Sequence, residues 1–286
     1  MVVTNQDYSY QPIILIGAGR SGTKIIRDVL GSHPDIDIVP YDVNYIWRIG
    51  TDQAENDALD TQIDPINRKR IIQQFNKFSS GSAFLLEKTV SNSLRIPYVL
   101  NVFPNAKFIH LIRDGRDVTE SVLRQWGEVR EASYIFRKLK TFPIRYAFSY
   151  LLDYGMNWLK FGLLKTGKAH YIWGVRYPGY KEDLESLSTL EVCAKQWKIC
   201  VETSDRQLKS LSQDNVLNVR YEEIVSEPDR ILTRISRFIG TKSDHFDSQK
   251  LNPKNINKYK SVFNEKQLEQ VINIIGPTLI QHSYTL

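Results

Sequence analysis

The feature that most constrains this chain is an apolar run that ends in a glycine-rich turn near the first residues. Residues 12–17 read PIILIG, and the chain continues as AGRSGTKIIRDVL. A short, β-branched run without polar alternation is typical of a strand buried on both faces, as in a parallel sheet. After the glycines, apolar residues recur from Ile25 to Leu30 with the spacing of an amphipathic helix. The segment therefore predicts a strand, a tight turn and a helix.

Four further runs have the length and composition of strands, and helical patterns lie between them. The predicted strands cover residues 35–39, 83–86, 107–112 and 216–219, and the main predicted helices cover residues 71–78, 91–102, 113–124, 190–211 and 228–239. This alternation predicts an α/β fold, with a central parallel β-sheet flanked by helices. With 286 residues, 42% of them hydrophobic, the chain can bury such a core, and its composition excludes disordered, collagen-like and disulfide-rich classes. We expect one domain over residues 1–286, with a mainly helical insertion at about 127–180.

The turn after the first strand is a predicted anion site. Its glycines leave backbone N–H groups at the start of a helix, where the helix dipole favours negative charge. The turn combines glycines, cations and hydroxyls, namely Gly17, Gly19, Gly22, Arg20, Lys24, Ser21 and Thr23. An ordinary turn between a strand and a helix would need the glycines but neither the cations nor the hydroxyls. A phosphate-like group is therefore the expected ligand.

Two nucleotide-binding patterns partly match this turn. The kinase pattern GxxxxGK[ST] fits the spacing from Gly17 to Gly22, but Thr23 and Lys24 then follow in reversed order. The reversal moves each group about 100° around the helix. The dinucleotide pattern GxGxxG also fits, although a basic residue inside that loop, Arg20, is atypical. The turn alone leaves the nucleotide open.

A second candidate phosphate site follows the strand at residues 107–112. Arg113 comes directly after this strand, and Ser121 lies eight residues later on the next predicted helix. Ligands of open α/β sheets bind outside the carboxyl ends of the strands. An arginine there can make bidentate, charge-assisted hydrogen bonds to a phosphate, which Ser121 could share. The alternative for Arg113 is a salt bridge to Asp114 or Asp117.

Taken together, the two segments resemble the cofactor motifs of sulfotransferases that use 3′-phosphoadenosine 5′-phosphosulfate (PAPS). GAGRSGTKIIRDVLGSHPDI is similar to their 5′-phosphosulfate loop, and FPNAKFIHLIRDGRDVTESV to their 3′-phosphate motif. LLEKTVSN at 85–92 and VRYEEIVSEP at 219–228 also agree, so the resemblance covers residues 13–228 in the family's order. It implies a P-loop-related α/β fold, PAPS as sulfuryl donor and 3′-phosphoadenosine 5′-phosphate (PAP) as product.

The resemblance also implies roles for individual residues. Arg20 is expected to bind the 5′-phosphosulfate and to stabilise the leaving oxygen, and Lys88 of the EKT element is expected to face the sulfuryl group. Lys88 is followed by Thr89 and Val90, where glycan and tyrosyl-protein sulfotransferases have a KTP or KDP element. The other residues expected to bind PAPS are Gly19, Ser21, Gly22, Thr23, Lys24, Arg113, Ser121, Tyr221 and Lys258.

A carboxylate is expected to serve as the general base of an in-line displacement by an acceptor hydroxyl. Asp42 lies 22 residues after Arg20, which matches the region where several Golgi-type relatives carry a glutamate base. Glu87 and His110 are the alternatives, although His110 lies within a predicted strand and suits the core. No metal is expected, because the leaving group is a phosphate and the five histidines and two cysteines show no zinc-type spacing.

The sequence favours a carbohydrate or polysaccharide hydroxyl as acceptor. The element EKTVS differs from the KTHLP-type element of cytosolic steroid and phenol enzymes. Aromatic and basic residues, which suit sugar rings and anionic glycans, are frequent from Trp126 to Tyr180, although a helical core would explain them equally. Within them, WGVRYPG at 173–179 is expected to form a loop that walls the acceptor site. A kinase of the P-loop type and an inactive nucleotide-binding protein remain the alternative functions.

The remaining features concern partners and compartment. The net charge of +6 is small and scattered, so we expect no nucleic-acid partner. Cys193 and Cys200 lie seven residues apart in a predicted helix, about 10 Å by helix rise, which is too far for a disulfide. With no secretory signal or transmembrane run in the sequence, these thiols indicate a reduced, cytoplasmic protein.

Overall fold

In the computed structural model, which describes residues 7–51, 53–128, 172–251 and 256–286, five parallel strands form one sheet. The strands are β1 (Gln11–Ile16), β2 (Ile36–Ile38), β3 (Phe84–Glu87), β4 (Lys107–Ile112) and β5 (Val216–Arg220). Their order across the sheet is β2-β3-β1-β4-β5, and each neighbouring pair is parallel. The prediction of a central parallel β-sheet flanked by helices is confirmed.

Helices connect the strands and cover both faces of the sheet. Those between β1 and β4 are α1 (Thr23–Leu30), α2 (Asn44–Trp47), α3 (Pro65–Asn76) and α4 (Ile96–Val102). Those after β4 are α5 (Gly115–Glu128), α6 (Tyr180–Ser186), α7 (Thr189–Leu208), α8 (Tyr221–Ser226), α9 (Pro228–Ile239) and α10 (Glu265–Gln281). Parallel strands need such crossovers, because the chain must return to the same edge of the sheet before each new strand.

Two of the differences between the predicted and the observed helix boundaries involve a proline. Helix α3 begins six residues earlier than predicted, because the Asp64 carboxylate caps the N–H groups of Ile66 and Asn67, and Pro65 occupies the first turn. The helix predicted at 91–102 is two elements, a 3₁₀ turn at Val90–Leu94 and α4. Pro97 lies in the first turn of α4, where its missing N–H costs nothing, so the helix restarts there.

The alternating side chains of the strands enter two different hydrophobic clusters. Ile14 and Ile16 of β1 pack with α2, α3 and α4 on one face. Ile13 and Leu15 pack with α1, α8 and α9 on the other. Burial on both faces is why the strand sequences show apolar runs rather than polar alternation.

A third cluster lies beyond the carboxyl ends of the strands, where α5, α7 and α10 meet. Trp197 of α7 is buried in it, and its Nε1 donates a hydrogen bond to the carbonyl of Arg113 at 3.1 Å. A Cβ built on Gly115 would lie 2.7 Å from the Trp197 ring, so the approach requires a glycine there. The indole therefore fixes the turn from β4 into α5, which carries Arg113.

None of the helices in the described ranges is both long and apolar enough to cross a membrane. Most of the insertion predicted at about 127–180, including Trp158, lies outside the described residues, which resume at residue 172. A single domain over residues 1–286 stays a prediction.

Candidate active site

Each of the five strands is followed at its carboxyl end by a residue that the sequence analysis assigned to the site. Arg20 follows β1, Asp42 follows β2, Lys88 follows β3, Arg113 follows β4 and Tyr221 follows β5. The sheet is parallel throughout, so these residues come to the same edge. Strand order changes direction around β1, and such a switch point is where open α/β sheets bind their ligands.

The loop after β1 is shaped by backbone conformations that favour glycine. Gly22 has φ +95°, and a Cβ built on it would lie 2.5 Å from the ring of Tyr221. Arg20 itself has φ +70°, which is uncommon for a residue with a side chain and marks a constrained position. The Ser21 hydroxyl is buried and has no hydrogen-bond partner within the described part of the chain. Thr23 begins α1 and is buried, whereas Lys24 on the same turn is exposed.

The loop after β1 and the motif after β4 meet through three side chains. Arg20 Nε donates a hydrogen bond to Ser121 Oγ at 3.0 Å, and Arg113 Nη1 donates one to the carbonyl of Arg20 at 3.0 Å. The guanidinium carbon of Arg113 lies 4.7 Å from the ring centroid of Tyr221. Arg20, Ser121, Arg113 and Tyr221 thus form one group, which we call the cation cluster. It brings together residues that the sequence predicted for opposite phosphates of one nucleotide.

Asp117 supports the cation cluster from α5. Its carboxylate lies 3.7 Å from Arg113 Nη2, and it accepts the backbone N–H groups of Asn257 and Tyr259 at 2.8 and 3.0 Å. Burial raises the pKa of Asp117, and these hydrogen bonds and Arg113 only partly offset that effect. Asp117 thereby holds the segment that contains the partly exposed Lys258 against α5. Asp114 contacts a different cation, Arg116, at 2.7 Å, so of the two predicted alternatives for Arg113 only Asp117 has an observed ion pair.

The predicted base and the predicted lysine are ion-paired. Lys88 Nζ lies 2.7 Å from Asp42 Oδ2, and Asp42 Oδ1 accepts the N–H of Val90 at 3.1 Å. The Asp42 side chain is 46% exposed, whereas that of Lys88 is 7% exposed. Next to Lys88, the Thr89 hydroxyl accepts the N–H of Val43 at 3.0 Å. The loops after β2 and β3 are therefore joined, and a carboxylate at this junction is open to solvent.

The two alternative bases lie in the interior. Glu87 is 2% exposed and accepts a hydrogen bond from Asn92 at 2.7 Å, and burial raises its pKa to about 7. His110 is fully buried in β4, with Nδ1 3.1 Å from Asn218 Oδ1, and burial lowers its pKa to about 4. Neither the carboxylate of Glu87 nor the imidazole of His110 reaches the open side of the site. Of the three candidates, Asp42 is the one accessible to a ligand.

The stretch WGVRYPG forms a loop that approaches the first glycine turn. Trp173 is half-buried, and a Cβ built on Gly19 would lie 3.8 Å from its Cζ3 atom. Sequence reasoning missed the residue that anchors this loop, Asp57, because it lies in an irregular acidic stretch without a motif. Burial raises the pKa of Asp57, but the N–H of Arg176 and the nearby guanidinium groups more than offset this, so the pKa lies below its usual value.

This edge can therefore hold an extended anion and accept a proton. The cation cluster, the glycine turn and the buried hydroxyl of Ser21, which has no hydrogen-bond partner among the described residues, suit phosphate or sulfate oxygens. An exposed carboxylate, Asp42, lies at the loops that follow the neighbouring strands. These are the parts that a group-transfer reaction with an anionic donor and a hydroxyl acceptor requires.

Known proteins are similar to this chain in sequence and in fold. Residues 12–148 match the model of a family described as the sulfotransferase family. A relative named protein-tyrosine sulfotransferase, from Drosophila melanogaster, is 24% identical over 252 residues, which are 81% of this chain and 39% of that protein. The chain thus spans about two fifths of that relative.

Solved structures show the same architecture. A sulfotransferase domain from the curacin biosynthetic pathway superposes with a TM-score of 0.54 at 14% identity, covering 97% of this chain and 99% of that domain. A mouse sulfotransferase crystallised in complex with PAP superposes with a TM-score of 0.50 at 13% identity, covering 94% of this chain and 84% of that one. At these identities the similarity shows a shared fold.

Proposed function

We propose that this chain, whose residues 12–148 match the model of the sulfotransferase family, transfers the sulfuryl group of PAPS to an acceptor hydroxyl. The observation that carries the proposal is the cation cluster. Two motifs that lie about a hundred residues apart meet through the hydrogen bond from Arg20 to Ser121. A nucleotide with phosphates at both its 3′ and 5′ positions needs cations at two points of one cleft, and the cluster supplies them.

The residues of the glycine turn fit the 5′ end of such a donor. Arg20, an exposed residue, and the hydroxyl of Ser21, which is without a hydrogen-bond partner in the described ranges, can bond phosphate or sulfate oxygens. Gly19, Gly22 and Thr23 would contribute backbone N–H groups at the start of α1. Lys24 would add positive charge near this end without a contact of its own.

The residues after β4 and β5 fit the 3′-phosphate end of the donor and its nucleotide. Arg113 and Ser121 would hold the 3′-phosphate, and Tyr221, stacked on Arg113, would contact the nucleotide. Asp117 brings the segment of Lys258 toward this end, where a lysine would neutralise further charge. When bound, the donor supplies an activated sulfuryl group with a phosphate as leaving group.

Asp42 is the proposed general base, and Lys88 its partner. Asp42 would take the proton of the acceptor hydroxyl, since its carboxylate is exposed and ion-paired. Lys88 would orient the Asp42 carboxylate through their ion pair and, with Arg20, neutralise the charge that develops on the leaving oxygen. Because Lys88 and Arg20 would neutralise this charge, we propose that the transfer needs no metal ion.

The acceptor is proposed as a hydroxyl of one of two classes. The sequence favours a carbohydrate, whereas the name of the Drosophila relative favours a protein tyrosine. Trp173 beside the glycine turn could pack against a sugar ring or a phenol ring.

The chain's two cysteines are buried and unpaired, which suits the predicted reduced, cytoplasmic compartment.

The test is transfer from ³⁵S-labelled PAPS, in EDTA, to a panel of polysaccharides, tyrosine-containing peptides and simple phenols. We expect label on one hydroxyl class and none with the Arg113→Ala variant. The matched control is Arg124→Ala, which removes a half-exposed arginine of the same helix. No labelled product, together with Mg²⁺-dependent transfer from ATP, would favour a kinase. PAP binding without transfer to any acceptor would favour an inactive nucleotide-binding protein.

A further inference from the structure

Residues 173–177, which we call the wall segment, are fixed at nearly every peptide unit. Gln196 Nε2 donates hydrogen bonds to the carbonyls of Trp173 and Val175, at 3.0 and 2.9 Å. The side chains of Val175 and Tyr177 are buried in the third cluster. The side chain of Trp173, the first residue of the segment, lies against the glycine turn. The segment is thus a rigid surface rather than a loose loop.

Asp57 is hydrogen-bonded to the wall segment through both its backbone and its side chain. Its N–H donates to the carbonyl of Arg176 at 2.7 Å, and its Oδ2 accepts the N–H of the same residue at 2.9 Å. The Asp57 side chain is 2% exposed. A carboxylate this deeply buried is costly unless every oxygen is hydrogen-bonded. Its position is therefore closely determined.

The same carboxylate also holds the loops on which the proposed base and lysine lie. Oδ2 accepts the hydroxyl of Ser91, three residues after Lys88, at 3.0 Å. Oδ1 accepts the amide of Asn44, two residues after Asp42, at 3.1 Å. One aspartate thus connects the loop after β2, the turn after β3 and the wall segment. Those three segments carry or adjoin Asp42, Lys88 and Trp173.

We propose that Asp57 is a positioning residue that holds the wall segment over the sulfuryl end of the donor site, so that Trp173 excludes water from it. The inference rests on the proposed function, because it concerns the same site. Asp57 does not touch the donor in this account, and it acts through Trp173 and the two loops.

The alternative reaction that the wall suppresses is transfer to water. A water oxygen would attack sulfur while the bond between sulfur and the bridging phosphate oxygen breaks. The products would be PAP and sulfate, with the protons of the water released to solvent. An enzyme that excludes water avoids this loss of donor.

The experiment measures hydrolysis of PAPS in the absence of acceptor, together with PAP affinity by calorimetry. Asp57→Ala is expected to raise hydrolysis at least about threefold and to leave PAP affinity unchanged, because the wall no longer shields the site. Hydrogen exchange of residues 173–177 should accelerate in the same variant. Asp57→Asn keeps an amide oxygen for the N–H of Arg176 and the hydroxyl of Ser91 but places an NH2 group against the amide of Asn44, so its hydrolysis should lie between those of the wild type and Asp57→Ala.

Two further variants keep the result interpretable. Trp173→Ala removes the wall's side chain without disturbing Asp57, and it is expected to raise hydrolysis to the same extent. Asp37→Ala is the matched control, since Asp37 holds the loop at Ser80 and Ser82 before β3, at the opposite edge of the sheet. It should leave hydrolysis unchanged.

The possible outcomes separate the inference from the proposed function. If the wild type binds PAP and transfers sulfate but Trp173→Ala hydrolyses PAPS no faster, the wall does not exclude water and the inference is wrong. If Trp173→Ala raises hydrolysis but a folded Asp57→Ala does not, Asp57 does not position the wall. If the wild type neither binds PAP nor transfers sulfate, the proposed function fails and the inference falls with it.

Discussion

The side chains of Arg20 and Ser121, 101 positions apart in the sequence, are joined by a hydrogen bond of 3.0 Å between Nε and Oγ. Arg20 belongs to the turn after the central strand, and Ser121 lies two turns into α5. Both must be held by rigid elements for this contact to persist. The burial of Trp197 against the turn that begins α5 supplies that rigidity on one side.

Replacement of Arg113 by alanine should weaken PAP binding about 10- to 100-fold, the loss expected for a charge-assisted hydrogen bond. Arg113→Lys should restore little of it, because an ammonium group cannot form the bidentate pair. Calorimetric titration with PAP measures both. The control Arg124→Ala should bind PAP as the wild type does, and equal losses in Arg113→Ala and Arg124→Ala would mean that only net charge matters.

Asp42→Asn should retain PAP affinity and lose about 10²- to 10⁴-fold in turnover, because an amide cannot take the acceptor proton. Glu87→Gln is its matched partner and should keep turnover, since Glu87 is buried beneath the site. The rates are measured with labelled donor and the acceptor identified by the panel. Full turnover in Asp42→Asn would contradict the assignment of Asp42 as the base. A loss of turnover in Glu87→Gln alone would assign that role to Glu87.

Glu87→Gln should also change stability in a pH-dependent manner. The pKa of Glu87 is raised to about 7 by burial, so the folded protein retains a proton that the unfolded chain releases above pH 4.5. This group's contribution is present at low pH and is lost as the pH rises toward 7. The variant should therefore gain stability relative to the wild type at pH 8 but not at pH 4.5, in urea unfolding. An equal difference at both pH values would show that Glu87 ionises normally.

Gly22→Ala should lower both the melting temperature and PAP affinity. Its φ of +95° costs an alanine about 1 kcal/mol, and the new methyl group would also collide with Tyr221. Gly81→Ala separates the two effects, because Gly81 has φ +103° and no atom within 4 Å of an added Cβ. We expect Gly81→Ala to lose only the stability that the positive φ costs an alanine, and to keep its PAP affinity. The account of the turn would be wrong if Gly22→Ala were the milder variant.

His110 should make the fold sensitive to mild acid. Burial lowers its pKa from 6.5 to about 4, so the unfolded chain binds a proton between these values while the folded chain does not. The stability that this group contributes is fully present above pH 6.5 and is lost as the pH falls toward 4. Urea unfolding at pH 7.5 and 5 measures the loss, and His110→Gln should show a smaller one. An unchanged pH dependence in that variant would place the acid sensitivity elsewhere.

Much of the sheet, and the two turns that meet at the cation cluster, could be predicted from the sequence, because their signals are local. A buried parallel strand is an apolar run, and a phosphate loop is a short pattern of glycines and cations. Tertiary contacts are not local. Asp57 could not be found, since its role depends on Arg176, 119 residues away. The start of α3 was missed because the capping aspartate Asp64 lies before a polar first turn, which has no apolar periodicity to mark it.

The central claim is that Arg20 and Arg113 bind opposite ends of one nucleotide, and a paired titration in EDTA tests it most directly. PAP and AMP, which lacks the 3′-phosphate, are titrated into the wild type and into Arg113→Ala. The account predicts that PAP binds the wild type at least about tenfold more tightly than AMP and that this preference disappears in Arg113→Ala. Equal affinities of the wild type for PAP and AMP, or a preference that survives the loss of Arg113, would contradict it.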